Sequence, residues 1–425
     1  MVPAHIVVHY HELWLKQGNR KFFLHKLREA MRRALEGIAL KRITQPSDRY
    51  VIELADATQT KEALQRLARV SGIANLGVAR VIDWRADTSN DPLKRICGAA
   101  WNEIRSEPFS TFAVRAKRSD KRFPLKAMEL ERAVGGFLFD ELHAAGRNVR
   151  VDLKHPELTC RIEVTRGPVL LYARRIPGAG GLPPNTAGKF VCLLSGGFDS
   201  AVAAYKMMKR GAHLSFVHFW GGGGGAGESS VHVARELVKR LVPWQFTAKL
   251  YLVPFEPLQR EIVRSAPETY RTLLYRRFML RIAERVALRE RAKGLITGDS
   301  LGQVASQTAQ NLQAVGSIAR LPLYRPLIGD DKLEIQEIAR RIGTHDISAE
   351  PFHDCCPVFQ PNSPALFATP EELDVAEEQL RVAELVERGL QTMTVDRFRY
   401  AQGRVEQTQS VARTAAKPAT HTATA

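Results

Sequence analysis

The chain has 425 residues, 44% hydrophobic and 25% charged, a balance that excludes a disordered protein and, at roughly 150 residues per domain, suggests about three domains. Its 62 Lys and Arg against 45 Asp and Glu leave a net charge of +17, which favours a polyanionic partner because each neutralised phosphate releases condensed counterions. Five cysteines (Cys97, Cys160, Cys192, Cys355 and Cys356) without C-x-x-C spacing argue against a disulfide scaffold or a zinc site and for reduced thiols.

At the start, MVPAHIVVHY has no basic leader, and no apolar run in the chain reaches the roughly 18 residues of a membrane span, so a cytoplasmic location away from membranes is expected. HIVVHY (5–10) reads as a strand. NRKFFLHKLREAMRRALEG (19–37) is an amphipathic helix stopped at Gly37, RYVIELA (49–55) a second strand, and TKEALQRLARVSG (60–72) a second helix. Residues 1–75 thus suit a small α+β domain. Residues 76–176 repeat the pattern with more basic residues: TFAVRAKR (111–118) alternates as a strand and PLKAMELERAVGGFLFDELHAAG (124–146) is helical. RVDLKHPELTCRIEVTRGPVLLYARRI (150–176) gives strands with a turn at Arg166-Gly167-Pro168.

RIPGAGGLPPNTAGK (175–189) holds three prolines and four glycines, and a linker is expected over 177–187. From 188 to 360, nearly continuous apolar strands (KFVCLL, LSFVHFW, AKLYLVPF, KGLITG) alternate with helices, as in a doubly wound parallel sheet. Beyond 360 the strand signals stop. Thr369-Pro370-Glu371-Glu372 reads as a helix start, and 361–425 as a helical extension with a disordered tail.

The sharpest chemical signal is VCLLSGGFDSAVAAYKMMKRG (191–211), a buried strand that turns through Ser195-Gly196-Gly197-Phe198-Asp199-Ser200 into a helix. Gly196 and Gly197 can present bare N–H groups to phosphate beside a helix N-terminus. Ser195 and Ser200 can bond phosphate oxygens, and Asp199 can hold Mg²⁺. No Lys follows the glycines, so this is not the Walker-type loop. Cys355-Cys356 is the second signal: sulfur transfer needs a cysteine that carries or attacks a persulfide, and adjacent cysteines seldom bridge each other without strain.

The loop S-G-G-F-D-S resembles the motif of the PP-loop ATP pyrophosphatases. TGDSLGQVASQTAQNL (297–312), YRPLIGDDKLEIQEIARRIGT (324–344) and HDCCPVF (353–359) resemble the tRNA 4-thiouridine synthetase (tRNA uridine sulfurtransferase, thiamine-biosynthesis ThiI-like) family. RAKRSDKRFPLKAMELER (115–132) and RIPGAGGLP (175–183) resemble its THUMP domain and linker, and HELWLKQGNRKFF (11–23) more loosely its N-terminal domain.

The resemblance implies an N-terminal ferredoxin-like α+β domain, a THUMP RNA-binding domain, and a PP-loop domain that uses ATP and Mg²⁺ to adenylate O4 of a tRNA uridine (uridine 8 in the family) before sulfur replaces it. It further implies nucleotide contacts from Leu193, Leu194, His218, Phe219, Arg276, Gly298 and Gln307, and a catalytic Lys332. Either Cys355 or Cys356 is the sulfur-handling thiol, depending on whether the pattern is aligned from Lys332 or from Pro357-Val358. Arg115, Lys117, Arg118, Lys121, Arg122 and Lys126, flanked by Phe112 and Phe123, make an RNA-backbone surface. The partners implied are tRNA and a cysteine desulfurase or other persulfide donor protein, with a homodimer left open.

Three departures stand out: the loop SGGFDSA (195–201) where the family usually has Ile and Pro near those positions, the glycine run in WGGGGGAGESS (220–230), and no rhodanese-like pattern after residue 370. Two further readings are weighed beside the sulfurtransferase. One is a PP-loop tRNA-modifying enzyme with another nucleophile, the other a THUMP RNA-binding protein that has lost catalysis.

Overall fold

The computed structural model describes residues 4–12, 18–85, 91–221, 225–350, 359, 361 and 363–410, and the chain divides into two compact units, 1–183 and 184–425. The first begins with β1 (Ala4–Tyr10), α1 (Arg20–Ala34), β2 (Leu40–Thr44), β3 (Tyr50–Leu54), α2 (Thr60–Leu67) and β4 (Ile73–Val78). It continues with β5 (Arg80–Ile82), α3 (Pro92–Ile104), β6 (Thr111–Arg118), α4 (Ala127–Ala144), β7 (Arg150–Val151), β8 (Leu158–Val164), β9 (Val169–Tyr172) and β10 (Ile176–Pro177).

Two five-stranded sheets result, in the orders β10-β4-β1-β3-β2 and β5-β9-β8-β6-β7. The start of the proline- and glycine-rich segment is therefore not loose chain, since β10 closes the first sheet along β4. Charge is sunk between the two sheets. Glu163 of β8 accepts from His9 of β1 (2.9 Å) and the Tyr172 hydroxyl of β9 (2.9 Å), and pairs with the fully buried Arg49.

The second unit runs β11 (Lys189–Leu193), α5 (Phe198–Lys209), β12 (His213–Trp220), α6 (Gly225–Leu241), β13 (Thr247–Pro254), α7 (Glu256–Ser265), α8 (Arg271–Glu290) and β14 (Leu295–Ile296). Then follow α9 (Ala309–Gly316), β15 (Leu323–Tyr324), α10 (Lys332–Ile342), α11 (His345–Ala349), α12 (Pro370–Glu377), α13 (Val382–Thr392), β16 (Thr394–Ala401) and β17 (Arg404–Ser410). The sheet order is β15-β14-β11-β12-β13-β16-β17, parallel from β15 to β13. β11 lies between β12 and β14, so the strand order reverses at its carboxyl end, where open α/β sheets leave a ligand crevice.

The expected end of strands at 360 is corrected: β16 and β17 form a hairpin that adds antiparallel to β13. Arg235 of α6 pins it by donating to the buried Asp396 (2.7 Å). α12 starts as expected, with Thr369 Oγ1 accepting from Glu372 N (3.2 Å) and Glu372 returning the bond to Thr369 N (2.9 Å). It is sewn to the sheet domain by Arg277, fully buried, which donates to Ala314 O (3.1 Å) and to Asp374 (2.7 Å). Among the described residues no helix is long and apolar enough to cross a membrane.

Candidate nucleotide site and basic surface

The six-residue loop lies where β11 ends, at the reversal of strand order. Leu194 N donates to Val217 O (2.9 Å), which holds the chain in the sheet for one more residue before it turns. Ser200 then closes the turn from the first helical turn of α5. Its Oγ accepts from Ser195 N (3.1 Å), lies 3.1 Å from Ser195 Oγ, and can donate to Ser195 O (3.1 Å) or Gly197 O (3.3 Å). Its hydroxyl therefore holds the loop's shape. Ser195 Oγ also accepts from Gly197 N (3.3 Å).

A cavity of about 490 Å³ opens beside this loop, with an apolar wall that includes Leu193, Val217, Phe219 and Met279, and a polar rim from Ser195, Asp199, Arg276, Thr297, Asp299 and Gln307. Leu194, Ser200 and Gly298 also line it. Gly298 is required by packing, because a Cβ there would stand 2.7 Å from Ser200 N and 2.8 Å from Asp199 C. The end of β14 and the start of α5 can touch only with glycine between them, and that contact fixes the loop.

His218 is placed differently from the expectation. It is buried under the loop, donating from Nδ1 to Leu194 O (2.8 Å) with Nε2 3.1 Å from Ser230 Oγ, and is not among the cavity-lining residues. It buttresses the turn from below.

Arg276, on the cavity face of α8, donates to Ser306 O (2.7 Å) and pairs with Asp299. Asp299 was not foreseen, and it organises the polar rim: Arg325 (3.3 Å), the Thr297 hydroxyl (2.7 Å) and Gln307 (3.5 Å) also point to its carboxylate. Burial alone would push the Asp299 carboxyl up, but the Arg276 charge, with the Thr297 hydroxyl and Arg325, holds it below the ordinary carboxylate range. The signal was present in T-G-D-S, yet nothing in sequence order links residue 299 to 276.

Asp199 stands across the loop. Its Oδ2 accepts from Gln303 Nε2 (3.1 Å), while Oδ1 is buried with no hydrogen-bond donor and lies 3.9 Å from Lys332 Nζ. Lys332 is the first residue of α10, whose N-cap Asp331 accepts from Leu333 N (2.8 Å) and Glu334 N (2.9 Å). The neighbouring Asp330 pairs with Lys206 in the last turn of α5, tying that helix to the start of α10. An orphaned carboxylate oxygen beside the glycine loop fits Mg²⁺, which takes one or two carboxylates and completes its shell with water and phosphate oxygens. Among the described residues there is no group of three or more His, Cys, Asp or Glu side chains that could hold a metal ion.

Cys355 and Cys356, and Gly222 to Gly224 of the glycine run, lie outside the described residues. The other three thiols are buried. Burial pushes Cys97 up to about 11, and Cys160 and Cys192 to about 12, so none supplies a thiolate near neutrality.

On the basic loop of the first unit, Lys117, Lys121 and Lys126 are exposed. Arg122 donates to Asp120 (3.0 and 2.9 Å), Arg118 to Asp120 O (3.1 Å), and Arg115 to Leu153 O, so the arginines are partly committed within the domain. The flanking Phe112 and Phe123 are buried in the core, and Phe123 packs edge-on to Trp84 at 5.3 Å.

Three family profiles match the chain: ThiI ferredoxin-like domain over residues 5–77, THUMP domain over 88–174, and thiamine biosynthesis protein (ThiI) over 185–382. The chain is 38% identical over 390 residues to a probable tRNA sulfurtransferase of Moorella thermoacetica, covering 92% of this chain and 96% of that one. It is 41% identical over 386 residues to a probable tRNA sulfurtransferase of Thermus thermophilus, covering 91% and 92%. Among solved structures it is similar to a 4-thiouridine synthetase in complex with RNA and bound ATP, at a TM-score of 0.81 and 30% identity, covering 93% of this chain and 99% of that one.

Proposed function

The chain belongs to the tRNA sulfurtransferase family, and from that premise we propose that it is an ATP-dependent enzyme that converts a tRNA uridine, uridine 8 in the family, to 4-thiouridine. The observation that carries this reading is the pairing of an orphaned Asp199 oxygen with Lys332 at the mouth of a closed glycine loop. That arrangement suits charge building up at a phosphate, and it occurs in a chain similar over 93% of its length to an ATP-bound 4-thiouridine synthetase.

Uridine O4 attacks the α-phosphorus of ATP and pyrophosphate leaves with the electron pair of the broken bond. The positive end of α5 and Lys332 offset charge on the phosphates, while Arg276, steadied by Asp299, serves the nucleotide from the same cavity lining. Mg²⁺ bound at Asp199 would supply charge neutralisation to the departing pyrophosphate. O4, now bonded to AMP, has become a good leaving group. A persulfide sulfur attacks C4, AMP departs, and a thiolate then cleaves the S–S bond, leaving a disulfide for an external thiol to reduce.

With Cys97, Cys160 and Cys192 buried and protonated, Cys355 and Cys356 carry the sulfur role, charged by a cysteine desulfurase or another persulfide donor. Lys117, Lys121 and Lys126 engage the tRNA backbone. Nucleoside mass spectrometry of tRNA from a deletion strain tests the reading: 4-thiouridine should be lost and restored by this chain. Restoration by both single variants, Cys355→Ser and Cys356→Ser, would remove the thiol assignment and leave adenylation standing. Unchanged 4-thiouridine in the deletion strain would remove the activity.

A further inference from the structure

Gln303 lies in the loop 300–308 that follows β14, within the 297–312 segment but so far without an assigned role. Its amide nitrogen donates to Asp199 Oδ2 at 3.1 Å. A carboxylate has no hydrogen to offer in return, so the nitrogen must face it and the amide orientation is fixed. Two acceptors on these paired side chains are then buried without a hydrogen-bond donor, Asp199 Oδ1 and Gln303 Oε1.

The loop is shaped to deliver this contact. Gly302 adopts φ +74° and donates from N to Gln307 O (2.9 Å), and Gln307 N returns to Val304 O (2.8 Å). A Cβ at Gly302 would meet nothing within 4 Å, so glycine serves the backbone conformation there and not the packing.

Asp299 supplies the contrast within the same site. It is saturated by two arginines and a hydroxyl, which leaves its carboxylate nothing to offer a ligand. Gln303 brings no charge. It occupies one oxygen of Asp199 and leaves the full negative charge facing Lys332 and the phosphate loop. Mg²⁺ demands near-ideal octahedral geometry, and a carboxylate fixed at one oxygen can offer only the other, one bond in a set direction.

We infer that Gln303 is a positioning residue for Asp199: it holds Oδ2 so that Oδ1 is presented to the divalent cation that accompanies ATP. This rests on the reading of Asp199 given under the proposed function. The test is Gln303→Met, which keeps side-chain length but removes the donor, with Gln303→Ala as a second variant in case Met packs badly.

The Mg²⁺ concentration for half-maximal tRNA-dependent AMP formation should rise roughly tenfold, the usual size of a lost partner behind a metal ligand, with KM for tRNA unchanged. Mn²⁺ affinity of the ATP-bound protein, read by electron paramagnetic resonance, should fall by a similar factor. In an Asp199→Asn background the Gln303 change should add nothing further. A wild-type metal requirement and wild-type Mn²⁺ affinity in both Gln303 variants overturn the inference. If the wild-type protein forms no AMP with tRNA, the proposed function fails instead, and the Mn²⁺ measurement still decides whether Gln303 orients Asp199.

Discussion

Glu163 on β8 of the first unit and Asp199 on α5 of the second are both carboxylates partly or wholly withdrawn from water. Around Glu163 the acceptors are satisfied: His9 and Tyr172 serve Oε1, and the buried Arg49 serves Oε2. Around Asp199 one oxygen is held by a neutral amide and the other has no donor, with Lys332 3.9 Å away. A saturated buried acid ties sheets together, because breaking any partner strands a charge. A half-satisfied one at a cavity mouth is destabilised until a ligand arrives, which is the cost of keeping a site ready.

Exchanging these two acids for alanine should separate the two roles, and the largest effect is expected at Asp199. Asp199→Ala should lower tRNA-dependent AMP formation by at least about 10³-fold, beyond the roughly 10²–10³ of one lost electrostatic group, with the melting temperature nearly unchanged. Lys332→Ala should lose roughly 10²-fold in kcat by the same reasoning. AMP release near the wild-type rate from Asp199→Ala would dissolve the distinction drawn here.

Glu163→Ala should do the reverse. It leaves Arg49 buried without its carboxylate and should cost about 3–5 kcal/mol in urea unfolding, with ATP affinity unchanged. The same pairing has a pH signature. Burial would raise the Glu163 carboxyl, but the His9 hydrogen bond and the His9 and Arg49 charges bring it down to about 2 from an ordinary 4.5. The stabilisation is therefore fully present above pH 4.5 and is lost as the pH falls towards 2. Urea midpoints measured from pH 6 down to pH 3 should drop more steeply for the wild type than for Glu163→Gln. Parallel curves would show that the acid is not held low.

Gly298→Ala tests whether geometry at the nucleotide loop is as unforgiving as the charge arrangement suggests. The new Cβ would lie 2.7 Å from Ser200 N, and backbone atoms cannot step aside as a flexible side chain can. Overpacking of this kind costs about 1–3 kcal/mol, and the displaced α5 start should weaken ATP binding in calorimetry. Intact binding would mean that the strand end yields more easily than the contact implies.

The sequence conveyed these features unevenly. The strand-loop-helix of 191–211 was readable because all its parts are adjacent, and the alternation of apolar strands with helices gave the parallel sheet. The hairpin β16–β17 escapes the sequence reading, although Val395 to Ala401 alternates, because its strands are rich in charged and polar residues and joined by the inconspicuous Gln402-Gly403, which turns with φ +48° and +79°. Asp299 and Gln303 escaped for another reason. Their partners Arg276 and Asp199 lie 23 and 104 residues away in sequence, and only the closed fold brings them together. His218 lies beneath the loop rather than along the cavity, a difference invisible in sequence, since a polar residue near a motif looks the same whether it faces ligand or core.

The smallest expected effect concerns the basic loop, and it sharpens the comparison by asking whether surface charge in the first unit acts alone or through structure. Arg118 and Arg122 spend donors on the loop around Asp120, whereas Lys117, Lys121 and Lys126 are exposed on a strand end, the following turn and a helix start. A charge that only meets phosphate contributes through counterion release, about 0.9 in the slope of log affinity against log salt for each contact on a duplex. Changing the three lysines together to Ala should reduce that slope by between one and three such increments, weaken tRNA binding at low salt, and leave the urea midpoint alone. Changing Arg118 and Arg122 should instead lower the midpoint, because Asp120 keeps a buried carboxylate with fewer donors. If the lysine variant binds tRNA with an unaltered salt slope, this face is solvated and idle, and the contact must be sought elsewhere on the protein. If both sets alter the slope equally, the arginines leave Asp120 when RNA arrives, and the loop is remodelled on binding.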